Sequence, residues 1–146
     1  MSELSQEIAA KLKADQQAQT IQDAKFVEQQ RLKRVNGWSV WKDARDAVKS
    51  ECEELNRDTG RETAVFEVAP SSALTVRATV GERQKQLRAE YDAEGHVLQW
   101  ECGNQRGRWH LATLGNGSVT FVRGQEAASI TAQEIAEQLL KTLFET

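Results

Sequence analysis

Two histidines, His96 and His110, are the natural bases and metal ligands of this chain, because neutral imidazole serves both roles near neutral pH. His96 follows the turn glycine Gly95. Pairing it near Thr113 puts the two histidines on adjacent strands but on opposite faces, so they read as polar surface residues and not as a shared metal site. Cys52 falls on a helical apolar stripe and Cys102 on the inward face of a strand. A nucleophilic thiol needs a base and an electropositive setting. Neither cysteine has a histidine on its own face, and both read as small buried hydrophobes.

The 22 carboxylates form many pairs along the chain, but acid–base work needs a pair held in a cleft. Glu101 is answered by Arg108 across a hairpin, and Asp92 and Glu94 belong to a turn. The sequence contains no G-x-x-x-x-G-K-[ST], no G-x-G-x-x-G after a strand, no H-E-x-x-H and no G-x-S-x-G. No catalytic, cofactor-binding or metal-ligating residue is assigned on this basis, and no cofactor is implied.

Arg77, Arg88, Arg108 and His110 gather on the wet face of the expected sheet. Arginines with exposed aromatics are one way to bind single strands. Here the tryptophans point inward and Glu90 and Glu101 interrupt the arginines, which disfavours nucleic acid. The balance of 19 cations against 22 anions, net −3 over 146 residues, argues the same way. No run approaches the ~18 apolar residues of a membrane span, and residues 1–7 show neither a cationic start nor an apolar segment. Two widely spaced cysteines make no disulfide framework. The expectation is a soluble cytoplasmic protein with no membrane partner and no defined small-molecule ligand.

These residues need elements to carry them. Leu4, Ile8 and Leu12 begin a helix over about residues 3–34, but Lys13 to Thr20 offers nothing large to bury, and Ile21, Phe26, Val27 and Leu32 follow without a clean seam. A helix this polar must be held by something outside itself. Trp41, Ala44, Val48, Cys52 and Leu55 then step by three and four, the stripe of a core helix closed by Gly60. Asn36-Gly37 separates the two stretches. A break is favoured there, since glycine costs about 1 kcal/mol inside a helix, although one long helix is the alternative.

From Ala64 the period becomes two. Six candidate strands follow, carrying Phe66 and Val68; Leu74 to Val80; Leu87 to Tyr91; Leu98 to Cys102; Trp109 and Leu111; and Val119 and Phe121. Their short turns favour an antiparallel meander. A four-residue loop Gly103-Asn104-Gln105-Arg106 sets Trp100 opposite Trp109 and Glu101 opposite Arg108. A three-residue loop Gly115-Asn116-Gly117 sets Leu111 against Phe121 and Thr113 against Val119, with Gly117 left-handed. The register across Asp92-Ala93-Glu94-Gly95 is open by one residue. Finally, Thr131-Ala132-Gln133-Glu134 matches a capping box ahead of Ile135, Leu139 and Leu143.

The fold class expected is α+β: an antiparallel meander of five or six strands, a C-terminal helix on its apolar face, and one long or two consecutive helices before it. Residues 1–35 read as a helical arm and 36–146 as a single domain. The arm offers Leu4, Ile8, Leu12, Ile21 and Phe26, and Trp38 beside it, as an interaction surface. A non-enzymatic interaction or scaffold domain, homodimeric through the N-terminal helix, is the functional expectation. The rival is a ligand binder or enzyme with a pocket between sheet and helices.

Overall fold

The computed structural model describes residues 2–68, 70, 72–123 and 128–145. It opens with α1 (Glu3–Thr59), a single helix of 57 residues, about 85 Å long at 1.5 Å per residue. Ser2 caps its start, its hydroxyl accepting from the Ser5 amide at 3.3 Å. Gly60 ends it in the left-handed conformation, φ 70°, donating its amide to the Arg57 carbonyl. The expected break at Asn36-Gly37 does not occur. Gly37 is buried inside the helix, and a Cβ on it would lie 2.1 Å from Tyr91 Oη and 2.9 Å from Leu111 Cδ1. The glycine is there to let the helix backbone approach the sheet, and tertiary contact outweighs its poor helix propensity.

Among the described residues seven strands follow in strictly sequential antiparallel order: β1 (Ala64–Glu67), β2 (Ala73–Val80), β3 (Arg83–Asp92), β4 (Val97–Cys102), β5 (Gln105–Thr113), β6 (Val119–Arg123) and β7 (Ala128–Ile130). The seventh, beyond the five or six expected, has three residues, too few to display a period. Leu111 pairs with Phe121 and Thr113 with Val119, and Gly117 is left-handed at φ 84°, as the three-residue loop requires.

The β4–β5 hairpin differs from expectation. Its loop is Gly103-Asn104, so Cys102 faces Gln105, Trp100 faces Gly107 and Leu98 faces Trp109. A shift of two residues keeps every side chain on its expected face, because the strand period is two. The Trp100 indole lies over Gly107, whose Cβ would come within 2.7 Å of it, and still reaches Trp109 at a centroid distance of 6.2 Å. Glu101 accordingly stands between Arg106 and Arg88, not across from Arg108.

Helix α2 (Ala132–Glu145) returns over the sheet. Its capping box is formed: Glu134 N–H donates to Thr131 Oγ1 at 3.1 Å, and Thr131 N–H to Glu134 Oε1 at 3.3 Å. α1 meets β1, β5 and β6, while α2 lies along α1 and over β2 and β3. Between them Trp41, Val48, Leu74, Leu87, Leu98, Phe121, Ile135, Leu139 and Leu143 are all but inaccessible to water. Burying each such side chain favours folding by ~1.5–3 kcal/mol before entropy is charged. At the far end of α1, Asn56 clamps the helix to β1. Its Oδ1 accepts from the Thr63 and Ala64 amides and its Nδ2 donates to the Ala64 carbonyl, all at 2.8 Å.

Candidate interaction surface

The core stripe of α1 begins at Gly37 and continues through Trp41, Ala44, Val48 and Cys52. Toward the N-terminus the same helix leaves the sheet. Every described residue from Ser2 to Gln29 is exposed, a stretch extending roughly 40 Å from Glu3 at 1.5 Å per residue. Leu4, Ile8, Leu12, Ile21 and Phe26 are each between 51% and 65% exposed, and Trp38 at the base is 44% exposed. Polar pairs brace this stretch locally: Gln19 Nε2 donates to Asp23 at 3.1 Å, and Arg31 pairs with Glu28 at 2.6 Å. Exposed pairs of this kind contribute a few tenths of a kcal/mol.

The root of the arm is built from aromatics. Tyr91 on β3 stacks on Trp41 at 6.2 Å, meets Trp38 edge-on at 5.3 Å and Phe121 edge-on at 6.2 Å. Trp38 is thus shared between the sheet and the outer surface. Outside it lies a groove of about 650 Å3, walled by Phe26, Val27, Gln30 and Trp38 on the helix and by Tyr91 and His96 at the β3–β4 turn.

His96 departs from its expected role. It lies at the end of the four-residue loop between Asp92 and Val97, where its carbonyl accepts from Leu111, not near Thr113. It takes the left-handed conformation, φ 55°, that the neighbouring Gly95 does not. Its Nε2 lies 3.0 Å from Gln30 Oε1 on the helix, and with Nε2–H donating, Nδ1 is left buried without a hydrogen-bond partner. Desolvation, then the charges of Lys33 and Arg34, pull its pKa below the usual imidazole value against a smaller opposing effect of Asp92. Neutral His96 is a strut between turn and helix. His110 is exposed on β5 and faces Val97.

The remaining candidates for chemistry are dispersed. Cys52 and Cys102 are both buried and unbridged, and burial, followed by Glu51 and Glu53, pushes the Cys52 thiol up to about 11. Arg77 pairs with Glu67, and Arg88 approaches Glu90 at 3.6 Å, so the wet face alternates in sign. Among the described residues no charged side chain is buried, and no group of three His, Cys, Asp or Glu is placed to hold a metal ion. No helix among them is long and apolar enough to cross a membrane.

Leu4, Ile8, Leu12, Ile21, Phe26 and Trp38, expected as one surface, are all exposed, but the structure separates them. Trp38 and Phe26 share the basal groove, whereas Leu4, Ile8 and Leu12 stand near the tip. Tyr91, Gln30 and His96 were missed as parts of this surface, since only the β3–β4 turn brings them to the helix. No protein-family model, no curated protein and no solved structure matches the chain.

Proposed function

We propose that this chain is a non-enzymatic interaction module whose N-terminal helix engages another polypeptide. One observation carries the reading: a helix anchored in the core runs on, unbroken, through a stretch in which every described residue is exposed and six large apolar side chains, Leu4, Ile8, Leu12, Ile21, Phe26 and Val27, face water. Helix propagation from a formed helix adds little stability per residue, with s near 1–1.6 in the cold even for good formers. A free arm of this composition therefore frays from its tip unless its apolar residues are covered. Gly37, Trp38, Trp41 and Tyr91 fix the root, so covering the arm orders it relative to the body.

Amide hydrogen exchange on the full chain tests this. In dilute solution, residues 3–29 are expected to exchange far faster than residues 40–56 of the same helix. Protection of the arm equal to that of the core, in a chain of single mass, would refute an arm that depends on a partner.

A further inference from the structure

We infer that His96 is an acid-released latch that decides where the free arm of α1 begins, an inference that rests on the interaction-arm reading above. Neutral, the imidazole ties the β3–β4 turn to Gln30 and holds residues 30–36 to the body. Protonated, it lets go, and the free arm lengthens toward Gly37.

The latch sits at the boundary it controls. Gln30 is the first half-buried residue of α1, and its Oε1 is the atom that His96 Nε2 meets at 3.0 Å. Among the described residues this is the one side-chain hydrogen bond between the body and the helix before Gly37. The same segment touches the core through half-buried Leu32, while Val35 is exposed. On the other side the turn is fixed to β5: the His96 carbonyl accepts from the Leu111 amide at 2.9 Å, and the residue is left-handed at φ 55°. The side chain alone reaches α1, so losing Gln30 frees the helix without unpairing a strand. It also withdraws the ring from the wall of the groove that Phe26, Val27, Trp38 and Tyr91 share with it.

One proton decides the contact because the second ring nitrogen has no outlet. Nδ1 is shut off from water and has no hydrogen-bond partner. A proton there would be a buried donor carrying part of a positive charge, which costs more than a bare nitrogen. Every element around the ring bears on that charge. α1 brings Lys33 and Arg34, β3 brings Asp92, and Glu94 of the turn lines the same groove, while β5 meets it with uncharged Leu111. Desolvation, then the two cations, outweigh Asp92, so the closed ring binds a proton more weakly than a ring swung into water. Acid therefore favours the open state, by at most the ratio of the two acid constants. The latch is shut above about pH 6.5 and opens as pH falls through the lower value of the closed ring.

Amide exchange of the full chain at about pH 7.5 and about pH 5.5, each rate divided by its intrinsic value at that pH, tests the latch. Residues 30–36 are expected to lose protection severalfold at the lower pH relative to residues 40–56 of the same helix. His96→Asn, which tolerates the left-handed backbone and does not titrate, should show no such change. Gln30→Ala removes the other half of the latch and should hold residues 30–36 at their acid level at both pH values. A loss that persists in His96→Asn overturns the latch, as does protection of residues 30–36 that follows residues 40–56 at both pH values in the natural chain. With residues 3–29 exchanging fast throughout, either result leaves the interaction arm standing. Residues 3–29 as well protected as the core overturn both.

Discussion

Gly37→Ala reports directly on how α1 meets the sheet. In an ordinary helix interior this change gains ~0.8–1.0 kcal/mol, because alanine is the better helix former. Here the new methyl lies 2.1 Å from Tyr91 Oη, 3.2 Å from Tyr91 Cζ and 2.9 Å from Leu111 Cδ1, well inside normal contact. The ring has nowhere to go: Trp38, Trp41 and Phe121 surround it at centroid distances of 5.3 to 6.2 Å. Overpacking a core costs ~1–3 kcal/mol, more where neighbours are held. Set against the propensity gain, the variant should be less stable by up to ~2 kcal/mol in urea melts followed by tryptophan fluorescence. Tyr91→Phe removes the nearest atom, so in that background the same change should cost less by about 1 kcal/mol, a coupling that a double-mutant cycle reads directly. A stabilised Gly37→Ala protein, with effects that add to within ~0.3 kcal/mol, would refute the close approach and restore the glycine to a mere weak spot.

Leu139→Ala should destabilise by ~2–5 kcal/mol in the same melts, since Leu139 is 1% exposed beneath α2; a loss under ~1 kcal/mol would place α2 at the periphery. His96 has its pKa lowered, so its neutral form stabilises the fold above about pH 6.5, and that contribution is lost as pH falls through the lower folded value. Stability measured from about pH 7.5 to about pH 5 should therefore fall more steeply in the natural chain than in His96→Asn, which tolerates the left-handed backbone; equal slopes would remove His96 as the cause. The Cys52 thiol, raised to about 11, is almost wholly protonated at neutral pH and should react with a thiol reagent far more slowly in the folded than in the unfolded chain; equal rates would contradict its burial.

The legible parts of this fold are those whose signal is local. The Thr131–Glu134 box, the Gly117 turn and the Gly60 cap depend on a few adjacent residues and are all observed. The alternation of β2 to β6 fixed which face each side chain takes, and even the shifted β4–β5 register preserved it. What local signals do not carry is the reason for an exception. Gly37 reads as a breaker because its partners, Tyr91 and Leu111, lie far along the chain. His96 reads as a surface residue because Gln30 is 66 residues away, and the four-residue loop Gly103-Asn104-Gln105-Arg106 reads well because Trp100 opposite Trp109 and Glu101 opposite Arg108 agree with each other, whereas the indole in fact packs over Gly107. The exposed arm was visible from its polar centre, but its root, where Trp38 meets Tyr91, was only half visible.

The order of the sheet decides which backbone edges are open to a further strand. Each strand pairs only with its neighbours in the chain, so the two outer strands are β1, with four residues, and β7, with three. An edge that short exposes very few unpaired amides and carbonyls, too few to template a foreign strand, and β1 is further held at Ala64 by Asn56. Strand addition, the usual hazard of an open antiparallel sheet, is thereby blunted at β1 and β7, whereas β5 runs on past β6 and, among the described residues, leaves Gln105 to Trp109 without a β6 partner.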